Sequence, residues 1–238
     1  MIKDHFLFYS RQIDKNKVLL DKYEKHHAVS VLRAAPGDEI CVTDGSGSIY
    51  GCTVDSVAKD KMSCLIKQQD KTVRTSPCIT AAVGLPERAA FEEILQSLTA
   101  LGVRTIVPLI TDHCRKPWWE KWQKCINRFD DKMVVAMKQC LYPYLPDLKS
   151  PVLFRDFIAG AAASKLLVAD QYGVSIKDSL LKTSESIHCL IGPPGGFAEQ
   201  ENEVLQNRGI VKVKLASNRL RTELAAVVFC SQVIGFLQ

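Results

Sequence analysis

No CxxC pair occurs anywhere in the 238 residues, and none of the nine cysteines stands at a zinc-binding spacing from a histidine. That absence excludes the common cysteine zinc sites and the CxxC redox motif. Nine is odd and the thiols are scattered, so free cysteines in a reducing cytoplasm are expected. No stretch approaches the roughly 18 apolar residues of a membrane span. The opening Met1-Ile2-Lys3-Asp4-His5 has an acidic residue and a histidine where a signal peptide would begin its apolar run. The patterns GxxxxGK[ST] and GxGxxG are both missing, which excludes the two familiar phosphate-cradling loops. No repeat or low-complexity tract is present. Of the five histidines only His26 and His27 are clustered, and Ser217 has no histidine near it in sequence, so no nucleophile–base pair is legible. A cytoplasmic protein with no membrane segment and no metal site is expected.

What remains is an ordinary globular composition, 47% hydrophobic and 24% charged, with a formal net charge of +5. The basic excess is concentrated between Arg104 and Lys138. There Arg104, Arg115, Lys116, Lys121, Lys124, Arg128, Lys132 and Lys138 face only Asp112, Glu120, Asp130 and Asp131. A surplus of that kind suits a polyanion, and equally a solvated helix face.

Two rhythms divide the chain. Residues 1–70 read as short strands with one helix: a strand over Phe6–Tyr9, a helix over Lys22–Arg33 with Ala28, Val31 and Leu32 at helical spacing, and strands over Glu39–Thr43, Ser48–Val57 and Lys61–Lys67. Asp44-Gly45-Ser46-Gly47 is a hairpin turn signal between two of them. Close-set strands of this kind predict a small barrel. The polar Gln68–Thr72 reads as a linker.

From residue 73 to 238, strands alternate with helices. Strands are predicted over 79–83, 104–110, 165–169, 187–191 and 210–215. A helix opened by Pro86 carries the stripe Phe91, Ile94, Leu95, Leu98 and Leu101 and stops at Gly102. A long helix over 118–141 turns Trp122, Cys125, Ile126, Phe129, Met133 and Met137 inward, its tryptophans serving the core. Ser150-Pro151 caps a further helix, and helices follow over 199–208 and 222–237. The alternation predicts an α/β fold with a parallel sheet covered on both faces.

Two segments carry candidate chemistry. Ile191-Gly192-Pro193-Pro194-Gly195-Gly196-Phe197 follows an apolar strand and precedes a helix, at the strand end where open α/β sheets bind ligands. Glycine lets a ligand approach the backbone, and proline fixes the loop beforehand. Leu215-Ala216-Ser217-Asn218-Arg219-Leu220-Arg221-Thr222-Glu223 likewise links a strand to a helix, with Thr222 placed to cap the helix and Glu223 favoured at its positive end. Each segment can also be read as a tight connection between elements, a reading that the density of glycine and proline disfavours in the first.

In these two segments the chain resembles a known family. GPPGGF and LASNRLRTELAA are similar to the last two motifs, GPEGGF and LGxRxLRTETA, of the SPOUT methyltransferases, and within them most similar to the RsmE family. The likeness runs over nearly the whole chain. His26-His27-Ala28-Val29-Ser30-Val31-Leu32-Arg33 with Pro36-Gly37-Asp38 is similar to the family's N-terminal HHxxxVLR–xGD signature. Leu98-Thr99-Ala100-Leu101-Gly102-Val103 and Gln139-Cys140 with Pro146 follow in the family's order. Four positions depart from the pattern: Pro194, Ala100 and Lys138 stand where acidic residues are usual, and Tyr142 where an arginine is.

The resemblance implies a PUA-like β-barrel over residues 1–70 and a SPOUT domain with a C-terminal trefoil knot over 73–238. It implies a homodimer that binds S-adenosyl-L-methionine and methylates N3 of a uridine in 16S ribosomal RNA, within the small subunit. The cofactor would be held by Ala169, Gly192, Gly195, Gly196, Leu215, Ala216, Asn218 and Leu220, with Val168-Ala169-Asp170 as the third loop. Arg221 would act on the reacting base, a cation there stabilising the uracil anion, and Glu223 would orient Arg221 or its loop. Arg11, Arg33, Arg115 and Lys116 are expected to contact RNA phosphates, and so is the basic stretch up to Lys138. The lost charges motivate an alternative, a non-catalytic RNA-binding or ribosome assembly factor that kept the fold.

Overall fold

The computed structural model describes residues 6–74, 78–114, 117–161, 166–179 and 186–237. The chain divides into two units: residues 1–75 with 134–145, and residues 76–133 with 146–238. The sequence predicts a boundary near residue 70; the contacts in addition group 134–145, the end of a long helix and the turn after it, with the first unit.

The first unit is a six-stranded, mainly antiparallel sheet. Its elements are β1 (Leu7–Tyr9), β2 (Gln12–Ile13), β3 (Lys17–Leu20), α1 (Lys22–Ser30), β4 (Glu39–Thr43), β5 (Ser48–Val57) and β6 (Met62–Lys71), in the sheet order β1-β4-β5-β6-β3-β2. The hairpin between β4 and β5 forms where Asp44 and its neighbours predict it. The Asp44 carboxylate accepts the Ser46 amide at 2.7 Å, and Gly45 and Gly47 supply φ of +76° and +103°. A Cβ on Gly47 would overlap the Tyr144 ring, so this turn has no room for a side chain.

Helix α1 is capped by Asp21, which accepts the Tyr23 and Glu24 amides at 2.9 Å each. It ends earlier than its apolar spacing predicts: Ala28 is buried, whereas Val31 is 61% exposed. The expected linker is also absent. Gln68 to Lys71 continue β6 and pair with Gly51 to Ser48. Their side chains are polar because they face water, while their backbone groups complete a ladder. The two short strands β2 and β3 are not legible as strands, since neither shows a clear alternation. The core lies among Phe8, Val18, Leu20, Val42, Val54 and Met62.

The second unit carries a seven-stranded sheet in which every pairing is parallel. Its elements are β7 (Ile79–Gly84), α2 (Arg88–Ala100), β8 (Thr105–Ile110), α3 (Trp122–Gln139, whose residues from Val134 on group with the first unit), β9 (Asp147–Leu148), β10 (Val152–Leu153), α4 (Phe154–Gly160), β11 (Leu166–Val174), α5 (Ile176–Ser179), β12 (Ile187–Ile191), α6 (Glu199–Asn207), β13 (Val211–Val213) and α7 (Thr222–Leu237). The order is β10-β8-β7-β12-β11-β13, with β9 beside β8. Pro108 sits inside β8, which is unusual for an interior strand. It falls where the neighbour of β8 changes from β9, paired through Ile106, to β10, paired from Leu109. The missing N–H therefore coincides with the gap.

The apolar stripe of α2 buries Phe91, Ile94, Leu95 and Leu98, each worth about 1.5–3 kcal/mol out of water. Gly102, with φ +74°, ends that helix as expected. Pro86 stands two residues before α2 rather than at its first position, and Glu87 is the N-cap. Of the three tryptophans expected in the core, Trp122 is buried there, while Trp118 and Trp119 are half-buried. Trp118 stacks on Trp122, and both rings meet Phe91 and Phe129. Trp118 and Trp119 lie in a 3-10 turn over Trp118–Lys121, so the α-helix proper starts at Trp122. Ser150-Pro151 caps no helix, because the two-residue β10 intervenes and Leu153 is the N-cap of α4. No helix among the described residues is long and apolar enough to cross a membrane.

Candidate functional site

The carboxyl ends of β7, β11, β12 and β13 lie on one side of the parallel sheet, and the segments that follow them enclose a pocket of about 730 Å³. Pro86, Glu87 and Ala90 come from the β7–α2 connection. Ala169 to Tyr172 come from the second half of β11, Ile191 to Pro194 with Gly196 and Phe197 from the end of β12 and the loop after it, and Leu215, Ala216, Asn218 to Glu223 and Ala225 from the loop after β13 and the start of α7. This is the crevice expected of an open α/β sheet, and its size suits a small organic ligand.

The two sequence motifs meet here and are joined by hydrogen bonds. The Thr222 hydroxyl donates to the Gly192 carbonyl at 3.1 Å, and the Arg219 guanidinium donates to the Pro194 carbonyl at 3.2 Å. Thr222 therefore does not serve as the expected helix cap. It is the first residue of α7, with Arg221 before it giving its carbonyl to the Ala225 amide. Further along α7 the Gln232 amide group donates to the Leu215 carbonyl at 3.0 Å, which holds the other end of the loop.

The glycine–proline loop is shaped by a turn in which the Gly196 amide reaches back to the Pro193 carbonyl at 2.8 Å, with Gly196 at φ +74°. Gly84, at the end of β7, is required by this loop, because a Cβ there would lie 2.5 Å from Pro193. From outside, Glu201 of α6 ties the end of this loop to the segment after β8. One carboxylate oxygen accepts the Ala198 amide at 2.8 Å and the other the Asp112 amide at 3.1 Å. The His113 Nδ1 lies 3.0 Å from the Gly196 carbonyl oxygen.

The third wall is an irregular strand end. Ala169 and Val174 both pair with Val213, so residues 170–173 leave the ladder as an excursion. Asp170 anchors it. One carboxylate oxygen accepts the Tyr172 amide at 2.8 Å, and the other lies 2.9 Å from Lys212 Nζ. Burial alone would raise the Asp170 carboxyl, but that amide and the Lys212 ammonium outweigh it and hold the group below its ordinary range.

Nine of the ten residues expected to hold the cofactor or to act in the reaction line the pocket: Ala169, Gly192, Gly196, Leu215, Ala216, Asn218, Leu220, Arg221 and Glu223. Gly195 lies in the same loop but faces His113, whose Cβ would be 3.0 Å from a Cβ on this glycine. Arg11 and Arg33 belong to the first unit and are exposed there. Arg115 and Lys116 lie outside the described residues. Sequence reasoning missed Pro86, Glu87, Ala90 and Tyr172. The Gly84-Leu85-Pro86 step at a strand end was a usable signal for the first three. The lining offers carboxylates at Glu87, Asp170 and Glu223, guanidiniums at Arg219 and Arg221, and apolar walls at Ile191, Leu215 and Leu220. That donor set fits a zwitterion carrying an extra cation and an apolar ring.

Comparison with known proteins gives a consistent picture. The RNA methyltransferase domain family matches residues 74–234, and the RNA methyltransferase PUA domain family matches residues 20–67. The ribosomal RNA small subunit methyltransferase E of Aquifex aeolicus is 29% identical, over 97% of this chain and 99% of its own. That of Bacillus subtilis is 29% identical, over 88% and 86%. A methyltransferase structure from Legionella pneumophila, with SAM bound, superimposes with a TM-score of 0.87 at 25% identity, covering 97% of both chains. The ribosomal RNA small subunit methyltransferase E of Neisseria gonorrhoeae, bound to S-adenosyl methionine, gives 0.86 at 23% identity over 97% of both, a likeness of fold.

Proposed function

The chain belongs to the RNA methyltransferase family, in its RsmE branch, and from that premise we propose that it transfers a methyl group from S-adenosyl-L-methionine to N3 of a uridine in 16S ribosomal RNA. The observation that carries the reading is the meeting of the two motif loops in one pocket, bonded to each other through Thr222 and Gly192.

The cofactor supplies a methyl group already activated on a sulfonium. The protein's share is positioning and electrostatics. Ala169, Gly192, Gly196, Leu215, Ala216, Asn218 and Leu220 hold the donor, largely through backbone groups of fixed loops. Gly195 shapes its loop from behind rather than touching the ligand. Uracil N3 is a poor nucleophile until its proton departs. Arg221, exposed at the pocket's edge, stabilises the anion that forms, and Glu223, two residues on, orients that arginine or its loop. Arg11, Arg33, Arg115 and Lys116 grip RNA phosphates.

Three companions belong to the same reading. The protein works in the cytoplasm, where its nine unpaired cysteines stay reduced. Its C-terminal segment is threaded as a trefoil knot, and a fully stretched chain in single-molecule pulling should then fall short of its contour length. It is a homodimer through α7, an apolar helix that leaves Leu224 exposed and Val227, Val228 and Ile234 partly so. Sedimentation at the monomer mass would remove that element.

The central test pairs binding with turnover. Isothermal titration should show S-adenosyl-L-methionine binding to wild type and almost equally to Arg221→Ala. Methyl transfer to small subunits from a strain lacking the protein should fall at least about 100-fold in the variant, the usual cost of one lost electrostatic stabiliser. Full turnover by Arg221→Ala would overturn the assignment. Failure of wild type to bind the cofactor would favour the non-catalytic alternative.

A further inference from the structure

Tyr172 is 90% exposed, although it lines the pocket. An aromatic ring standing in water at the edge of a ligand site is unusual, because its apolar faces gain nothing there. Its position is also built rather than incidental. The excursion of residues 170–173 exists because Ala169 and Val174 share one partner, Val213. Asp170 spends one oxygen on the Tyr172 amide and the other on Lys212. Gly173 follows, and it must be glycine: a Cβ there would lie 2.5 Å from the Lys212 backbone. A carboxylate clamp on one side and a missing side chain on the other thus turn one tyrosine outward.

The pocket lining grades in exposure. Ile191, Pro193, Thr222 and Ala225 are buried, whereas Tyr172, Asn218, Arg219 and Arg221 are exposed. The buried end is suited to the methyl donor. The exposed end combines an aromatic face with guanidiniums, the pairing that holds an unstacked base and its phosphate. An enzyme acting on N3 must free that atom from base pairing, so the target base has to leave its stack and find a new one.

We propose that Tyr172 is the stacking platform for the target uracil, presented over the methyl-donor pocket by the 170–173 excursion. The inference rests on the methyltransferase reading above and adds the residue that receives the base. Tyr172 contacts the substrate ring through its face, so its hydroxyl is dispensable and its ring is not.

The experiment begins with isothermal titration of S-adenosyl-L-methionine into wild type, Tyr172→Ala and Tyr172→Phe. Equal affinities are expected. Fluorescent hexauridylate and the matching abasic ribose-phosphate hexamer are then titrated into each protein, with the pocket saturated by S-adenosylhomocysteine. Tyr172→Ala should bind hexauridylate about tenfold more weakly, the size of effect expected for one lost base–aromatic stack, and the abasic hexamer as wild type does. Tyr172→Phe should match wild type on both. With small subunits lacking the methyl as substrate, KM should rise by a similar factor in Tyr172→Ala while kcat changes little. An equal loss on the abasic hexamer, no loss at all, or a loss confined to the methyl donor would each overturn the proposal. Failure of wild type to bind the donor would instead sink the reading beneath it, and is seen in the first titration.

Discussion

The Lys138 ammonium is paired with the Glu24 carboxylate, joining the end of α3 to α1 within the first unit. Both side chains are largely shielded, at 16% and 10% exposure, and the other Glu24 oxygen accepts the Tyr9 amide at 3.3 Å. The lysine that departs from the family's acidic residue is therefore engaged inside the protein. It is not one of the free cations expected to meet RNA phosphate.

That pairing sets the first prediction. Lys138→Ala leaves a shielded carboxylate without its cation and should destabilise the protein by about 3 kcal/mol. Glu24→Gln in the same background should recover part of the loss, because the orphaned charge is gone while the hydrogen bond to Tyr9 can persist. Urea unfolding midpoints of the two single variants and the double variant give the coupling directly. Simple additivity would show that the pair carries no mutual stabilisation.

Thr222→Val keeps the shape of the side chain and removes the hydroxyl that reaches Gly192. The loss of one such bond is worth about 1 kcal/mol. Its expected readout is local: affinity for S-adenosyl-L-methionine should fall by about fivefold, with the melting temperature moved by only a few degrees. Calorimetric titration and thermal melting on the same sample separate the two. A large drop in melting temperature with cofactor affinity unchanged while the protein is still folded would mean that the contact serves packing and not the loop.

His113 touches the back of the glycine–proline loop through Gly196 and lies outside the pocket lining. His113→Phe removes the ring nitrogen facing that carbonyl. His113→Asn can place an amide N–H near the same point. The phenylalanine variant should raise KM for the methyl donor several-fold with kcat nearly unchanged, and asparagine should restore it. Equal behaviour of the two variants would assign His113 a purely steric role.

Arg33 adopts φ +55°, a conformation that costs most side chains about 1 kcal/mol and glycine almost nothing. Relief of that strain in Arg33→Gly should roughly offset the added freedom of its unfolded chain, leaving stability close to wild type. RNA binding should nevertheless weaken, and the slope of log K against log salt should become shallower by about one unit if the guanidinium meets a phosphate. An unchanged slope would remove Arg33 from the RNA contacts.

Elements whose local chemistry agrees with their environment were legible in the sequence. The Asp44–Gly47 hairpin, the stop at Gly102, the strand over 187–191 and the helix over 222–237 all form where composition and turn residues place them. The strand-end loops 192–197 and 215–223 could likewise be named as candidate site edges, because glycine, proline and paired arginines are local signals. Features set by distant partners were not legible. Gln68 to Lys71 look like a linker until β5 pairs with them. Thr222 looks like a cap until Gly192 lies across from its hydroxyl. Lys138 looks like a surface cation until Glu24 is beside it, and Tyr172 belongs to no motif. Sequence alone determined the alternation of elements and the two loops, since periodicity and turn chemistry act within a few residues. Only the tertiary structure decided which loops share a pocket, which charges are already paired and which ring is turned outward, because each depends on groups that meet from tens of residues away.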